Sequence, residues 1–165
     1  MSRDFSRYDF TKFDPTQKYN LYIDCDTIAY ACAAACSKDP CVVTHKASGR
    51  KKEFENFNSF DDFLLNDPKG KNFEVNDFVV PTIGFALSNV KSKVDSIVGF
   101  DWVKDYRLYI QGKDNFRYDV YPEYKSNRGA KPALHKHCFN YMLNKYKGKI
   151  EVVHGYESED FVIAD

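Results

Sequence analysis

Acidic side chains that could hold a metal ion follow two apolar segments of this chain. Asp24 ends the apolar segment at 20–24, and Asp26 stands two residues later. The second group follows the apolar segment at 150–153 and consists of Glu157, Glu159 and Asp160. An acid that ends a buried strand needs a partner for its charge, and Mg²⁺ binds through a few carboxylates while it keeps several waters. The pattern therefore indicates a magnesium site.

Both acidic groups also have a structural explanation. Asp26 is expected to cap the N-terminus of the helix that follows it. Glu157 and Asp160 would share one face of a last helix, with Asp165 near the same stripe, and acids are favoured in the first turn of a helix. Asp24 is harder to explain in this way, because it closes the buried strand itself.

Basic residues alternate with aromatic ones between residues 116 and 132. The basic residues are Arg117, Lys125, Arg128 and Lys131, and one of the three tyrosines is Tyr124. Basic groups hold phosphates and aromatic faces stack on unpaired bases, so this stretch favours contact with nucleic acid. A solvated loop has the same composition, and composition alone does not separate the two explanations.

The elements that must position these residues alternate between strands and helices. Strands are expected at 20–24, 107–110 and 150–153, and helices at 27–35, after Pro81, at 131–147 and from Glu157. This alternation predicts an α/β domain whose mostly parallel central sheet is flanked by helices. Ligands of such sheets bind at the carboxyl ends of the strands, where all three groups of residues are expected to begin.

The segment between the first two strands has signals of its own. Residues 41–45 and 51–57 flank Ala-Ser-Gly and are expected to pair as a β-hairpin. Ser59 is expected to cap a short helix, and residues 68–76 are expected to form a loop.

Composition limits the class of protein only loosely. The 165 residues suffice for one domain with a core, and their formal net charge is zero. Zero charge excludes a globally basic nucleic-acid binder but is compatible with a local basic patch. No apolar run is long enough to span a membrane, and the N-terminus lacks the features of a signal peptide, so a cytoplasmic protein is expected.

The five cysteines are expected to be small buried residues in a reducing compartment. They lack any CxxC spacing, and they are Cys25, Cys32, Cys36, Cys41 and Cys138. A zinc site that recruits His135 and His137 is the weaker alternative, since no paired spacing supports it.

The order of these motifs resembles the phage-type 5′-3′ exonuclease and flap endonuclease family, which includes the 5′-nuclease domain of bacterial DNA polymerase I. Members carry a strand that ends in Asp, a Tyr-Lys-Gly-Asn-Arg arch segment and a Gly-x-Glu-Ala-Asp-Asp motif. The corresponding segments here are Leu21-Tyr-Ile-Asp24, Tyr124-Lys-Ser-Asn-Arg128 and Gly155-Tyr-Glu-Ser-Glu-Asp160. Each motif is weak alone, whereas the ordered set is fairly specific and extends from about residue 20 to the end.

The resemblance implies a PIN-like fold and a metal-dependent nuclease that hydrolyses phosphodiester bonds of DNA in the cytoplasm of a phage-infected bacterial cell. Two ions, Mg²⁺ or Mn²⁺, would bind the scissile phosphate, activate water and stabilise the leaving oxygen. The positions that match the family's metal ligands are Asp24, Glu157, Glu159 and Asp160.

The resemblance also assigns roles in the basic stretch. Lys125 and Arg128 match the arch residues that grip phosphate near the cut, and Lys125 would act as a positive clamp on developing charge. Tyr124 matches an aromatic residue that stacks on the terminal base. Arg117 and Lys131 would add further contacts with nucleic acid.

Two departures from the family concern the metal site. The family has an acid in a Gly-Asp turn after the second strand, whereas this chain has Gln111-Gly-Lys-Asp114, so Asp114 is the expected substitute. The family also continues with a strand that bears two aspartates and with a helix-hairpin-helix, and neither occurs before Asp165. We therefore expect a polar arm at 1–18 and, at 19–165, an N-terminal portion of the nuclease domain that a second polypeptide completes.

Two other functions fit the same residues. A catalytically degenerate nuclease domain would bind nucleic acid or a protein without cutting, which the missing later acids favour. A single-metal PIN-like nuclease would cut RNA with fewer carboxylates. The expected partners are thus DNA first, RNA second, and a second polypeptide.

Overall fold

The computed structural model describes residues 14, 16–115, 120–123 and 129–155, with the backbone alone at 113–115. This part of the chain contains two three-stranded sheets and four α-helices. The strands are β1 (Tyr19–Asp24), β2 (Cys41–His45), β3 (Lys51–Phe54), β4 (Phe78–Val79), β5 (Val103–Asn115) and β6 (Ile150–Gly155). The helices are α1 (Asp26–Cys36), α2 (Phe57–Asn66), α3 (Pro81–Val98) and α4 (His135–Lys145), with 3₁₀ turns at Gly70–Asn72 and Val75–Asp77.

The main sheet is parallel and has the order β1-β5-β6. Its central strand contains three consecutive buried residues, Leu108, Tyr109 and Ile110. Consecutive buried positions point to opposite faces of a strand, so β5 is covered on both sides. The predicted α/β class with a parallel central sheet is confirmed for this part of the chain.

Helices α1, α3 and α4 contact one another, and α1 and α4 also contact β5 and β6 respectively. The buried face of α1 carries only small side chains, Ala29, Cys32, Ala33 and Cys36. Small side chains allow helix axes to approach closely, and the neighbouring helices fill the remaining space with Val90, Val94, Cys138 and Met142. The Ala-rich segment thus serves as the packing centre of the helical layer.

The second sheet is antiparallel and has the order β3-β2-β4. The hairpin of β2 and β3 was expected, but β4 was not, because two residues carry too little periodicity to predict a strand. The prediction that Ser59 caps α2 is wrong. Asn56 is the cap, and its side-chain oxygen accepts a hydrogen bond from the Ser59 backbone N–H at 3.0 Å. Since α2 starts at Phe57, β3 ends earlier than expected.

Two boundaries in the main domain also differ from the expectation. β5 extends in both directions beyond the expected 107–110, and it continues through a polar segment because β6 pairs with it as far as Asn115 and Gly155. α4 begins at His135 instead of residue 131, and the Pro132 carbonyl accepts a hydrogen bond from the His135 N–H at 2.9 Å. Most of the expected arm at 1–18 and the helix expected from Glu157 lie outside the described residues.

Replacement of Ala33 by Leu should lower the free energy of unfolding by about 1–3 kcal/mol or more, because the larger side chain overpacks the contact between α1 and its neighbouring helices. Ala33 is fully buried, whereas Ala35 on the same helix is exposed. The matched control Ala35→Leu should change stability by less than about 0.5 kcal/mol. Urea unfolding followed by circular dichroism measures both, and equal effects would contradict this packing arrangement.

Candidate metal and nucleic-acid site

Asp24 is the last residue of β1 and lies level with Tyr109 of the central strand. Its Oδ1 atom accepts a hydrogen bond from the Asp26 backbone N–H at 3.1 Å. The N-cap position of α1 is Cys25, which makes no side-chain cap bond. The expectation that Asp26 caps the helix is therefore wrong, because Asp26 is already helical and the Asp24 carboxylate satisfies its amide. Asp24 thus has a structural role at the carboxyl end of β1.

Three further side chains, those of Asp26, Lys131 and His135, meet at the first residue of α1, two residues after Asp24. The Lys131 Nζ atom lies 3.9 Å and the His135 Nε2 atom 3.7 Å from Asp26 Oδ1. Lys131 keeps about half of its side chain exposed, whereas His135 is buried. The carboxyl edge of the sheet therefore carries two acids, a lysine and an imidazole. Lys131 is the one expected nucleic-acid residue of the basic stretch that the structure places.

His135 was expected only as part of a weak zinc alternative, and sequence reasoning did not connect it with Asp26. Its Nε2 atom is buried and makes no hydrogen bond within the described part of the chain. The sequence did contain a signal for the position of His135, because a helix that follows a strand in a parallel sheet begins at the carboxyl edge of that sheet. The first turn of α4, where His135 stands, had to lie near the end of β1 or β5.

Burial raises the pKa of the Cys25 thiol to about 12, and the neighbouring Asp24 carboxylate adds to the effect. Burial likewise raises the pKa of Cys138 to about 12. Such thiols stay protonated at neutral pH, so neither is a nucleophile. All five cysteines are buried and free, which confirms the expectation that they act as small hydrophobic residues.

His137 belongs to a different environment from His135. Its ring lies edge-on to Phe57 of α2 at 5.5 Å between centroids. Burial, followed by the Lys136 charge, lowers the pKa of His137, so a neutral ring is favoured. Within the described ranges, no three or more His, Cys, Asp or Glu side chains are grouped to hold a metal ion.

The segment Gln111-Gly-Lys-Asp114, expected as a turn, belongs to β5. A Cβ atom at Gly112 would lie 2.8 Å from the Val153 carbonyl oxygen and 2.8 Å from His154 Nδ1. Only glycine allows β5 and β6 to approach this closely. The pairing carries the backbone of Asp114 towards Gly155, where the acidic group begins, but the Asp114 side chain lies outside the described residues.

The other expected site residues also lie outside the described part of the chain. They are Arg117, Tyr124, Lys125, Arg128, Glu157, Glu159 and Asp160. Their starting points are nevertheless placed. β5 ends at Asn115, directly before the basic stretch, and β6 ends at Gly155, directly before the acidic group.

No protein-family model, no curated protein and no solved structure matches the chain. No helix of the described part is long and apolar enough to cross a bilayer. The function of this chain is therefore inferred from the order of the motifs and from the geometry around Asp24.

Replacement of Cys25 by Ala should flatten the loss of stability at alkaline pH. The folded-state pKa of the thiol is raised from 9.0 to about 12. Its stabilising contribution is therefore complete below about pH 9 and is lost as the pH rises towards 12, by about 1.4 kcal/mol per pH unit. Urea unfolding at about pH 8 and about pH 10.5 measures the slope.

The control for that experiment is Val94→Ala, which lowers stability by opening a cavity but removes no titrating group. Its slope with pH should equal that of the parent chain. A Cys25→Ala chain with the parent's slope would contradict the raised pKa.

Proposed function

We propose that this chain is a metal-dependent 5′-nuclease that hydrolyses phosphodiester bonds of DNA. The observation that carries the proposal is the position of Asp24 at the carboxyl edge of a parallel sheet, from which the two other motifs also emerge. Three motifs that are far apart in sequence thus follow the carboxyl ends of three adjacent strands, although β5 and β6 extend farther than β1, from Tyr109 level with Asp24 to Asn115 level with Gly155. This is the edge at which open α/β sheets bind ligands.

The donor set suits a hard cation. Asp24, Asp114, Glu157, Glu159 and Asp160 would supply oxygen ligands to Mg²⁺ or Mn²⁺, two ions in the complete family site. When bound, the metal would polarise the phosphate and activate water. The hydrogen bond from the Asp26 backbone N–H fixes the Asp24 carboxylate at the end of β1.

The basic stretch would position the strand that is cut. Lys125 and Arg128 would hold the phosphate beside the metal site, and Tyr124 would stack on the terminal base, as in the family this chain resembles. Arg117 would add charge along the backbone of the nucleic acid. We propose that the parallel sheet and its flanking helices belong to a PIN-like fold, as the resemblance implies.

Asp24→Asn is the sharpest test, because asparagine can still accept the Asp26 hydrogen bond but carries no charge. It should reduce cleavage of a 5′-labelled flap substrate at least about 100-fold in Mg²⁺ or Mn²⁺, while stability stays close to that of the parent. Asp24→Ala should lose cleavage as well and should also lower stability by about 0.5–2 kcal/mol. Product release on a denaturing gel, with a chelator control, measures cleavage.

Each possible outcome has a definite meaning. Metal-dependent cutting that survives Asp24→Asn would contradict the metal role of Asp24. A folded parent chain that cuts neither DNA nor RNA would contradict the nuclease proposal and favour the catalytically degenerate domain. RNA cleavage without DNA cleavage would favour the single-metal PIN-like nuclease.

Lys125→Ala should weaken cleavage by about tenfold or more, whereas Lys131→Ala should change it by less than about threefold. Lys125 lies in the arch motif, while the charge of Lys131 is partly balanced by Asp26 at 3.9 Å. Single-turnover rates on the flap substrate compare the two variants. Equal losses would contradict the assignment of Lys125 as the phosphate clamp.

A second function is favoured by one observation. The hydrogen bond from Asp26 gives Asp24 a structural task, so a catalytically degenerate domain would retain this residue as well. Such a domain would bind nucleic acid or a protein without cutting. It predicts full binding and no cleavage by parent and Asp24→Asn alike.

A further inference from the structure

A pocket of about 370 Å³ lies on the antiparallel sheet formed by β3, β2 and β4. None of its residues belongs to the nuclease site proposed above. Its volume falls within the range of about 300–1,000 Å³ that is typical of sites for small ligands. The pocket is therefore a candidate ligand site that shares no residue with the carboxyl edge of the main sheet.

One face of this sheet forms the floor of the pocket. Alternate residues of β2 place Val43 and His45 on that face, and the strand pairing puts Lys52 opposite Val43 and Phe78 opposite His45. Helix α2 covers the other end of the same face, where Phe54 packs against its rings. The end near the β2–β3 turn stays open.

Aromatic rings line the open end. The His45 ring lies 5.2 Å from Phe73 and 5.4 Å from Phe78, and the two phenylalanine rings lie 5.6 Å apart. All three side chains are only half-buried. A hydrogen-bond contact of 2.8 Å between His45 Nδ1 and Ser48 Oγ fixes the imidazole. The rings therefore present a partly exposed, preorganised apolar surface.

Three cationic residues also line the pocket. Arg50, Lys51 and Lys52 are exposed, and among the described residues that line the pocket there is no acid. The Lys52 Nζ atom stands 4.5 Å from the centroid of the Phe63 ring, which holds the ammonium group beside the pocket. A ligand that fits this pocket has one flat apolar part and at least one negative charge.

We propose that this pocket binds one nucleotide unit of an unpaired nucleic-acid strand, with the base against Phe73 and Phe78 and the phosphates near Arg50 and Lys52. An apolar peptide would gain nothing from three cations, and a duplex does not expose base faces for stacking. The inference builds on the proposed nuclease function, because the strand would be part of its substrate. Binding can nevertheless be measured without cleavage.

The test uses the full chain in the presence of a chelator, with a 5′-fluorescein-labelled oligothymidylate of about 12 nucleotides as the probe. Phe73→Leu keeps an apolar side chain but removes the aromatic face, and it should weaken binding about tenfold in fluorescence anisotropy. Lys52→Gln should lower the slope of log K against log salt by about 0.7. dTMP should displace the probe at concentrations where inorganic phosphate does not.

The matched controls carry the same two types of substitution on α3, outside the pocket. Phe85→Leu and Lys93→Gln alter exposed residues of α3 that do not line the pocket, and they should bind the probe like the parent. Thermal unfolding checks that each variant is folded. Should Phe73→Leu fail to fold, Lys52→Gln and the dTMP competition still decide.

Several results would overturn the proposal. If the pocket variants bind the probe as well as their controls do, the pocket does not bind nucleic acid. Equal displacement by phosphate and dTMP would reduce it to an anion site, and equal losses on duplex DNA would show a general basic surface. Loss of cleavage in Asp24→Asn together with unchanged binding in Phe73→Leu would sink this inference and leave the nuclease function standing.

Discussion

Parallel pairing of β5 with both of its neighbours is the constraint on which the rest of the structure depends. The Tyr109 carbonyl accepts the Cys25 N–H at 2.7 Å, and the Leu108 N–H donates to the Lys149 carbonyl at 2.8 Å. These bonds fix the end of β1 and the start of β6 to one strand. Parallel strands need long crossover connections, and the connection from β1 to β5 contains the whole antiparallel sheet. The second sheet is thus an insertion between two paired strands.

Much of this fold could be predicted from the sequence, since apolar periodicity marks buried elements. The strand ending at Asp24, the Ala-rich helix, the hairpin and the helix after Pro81 were all expected. What could not be predicted depends on tertiary partners. The polar end of β5 is a strand only because Gly112 lets β6 approach, and β4 exists only because β2 lies beside it.

The position of a helix cap could not be predicted from residue type alone. Asn56 and Ser59 are both good caps by residue type, and the choice between them depends on backbone geometry. Asn56 has extended backbone angles, so its side chain reaches the free amide of Ser59. In the same way, Asp24 rather than Asp26 satisfies the first amide of α1. Sequence indicates that a helix begins near such residues, but the position of the first turn follows from packing.

The position of Asp24 at the carboxyl end of β1 could be predicted from the sequence, whereas the side chains that meet at Asp26 could not. Asp24 could be proposed because an acid at the end of an apolar strand is unusual. The approach of His135 and Lys131 to Asp26 could not, because it depends on α4 starting at His135 after the turn at Pro132. A start at residue 131, as expected, would have placed other side chains at that edge.

The proposed metal role of Asp24 is compatible with its observed structural role. Its hydrogen bond from Asp26 is a structural interaction that an uncharged amide oxygen could also make. Attraction for a cation, by contrast, requires the negative charge. The two roles are therefore compatible, since the hydrogen bond orients the carboxylate and the negative charge would attract the metal ion.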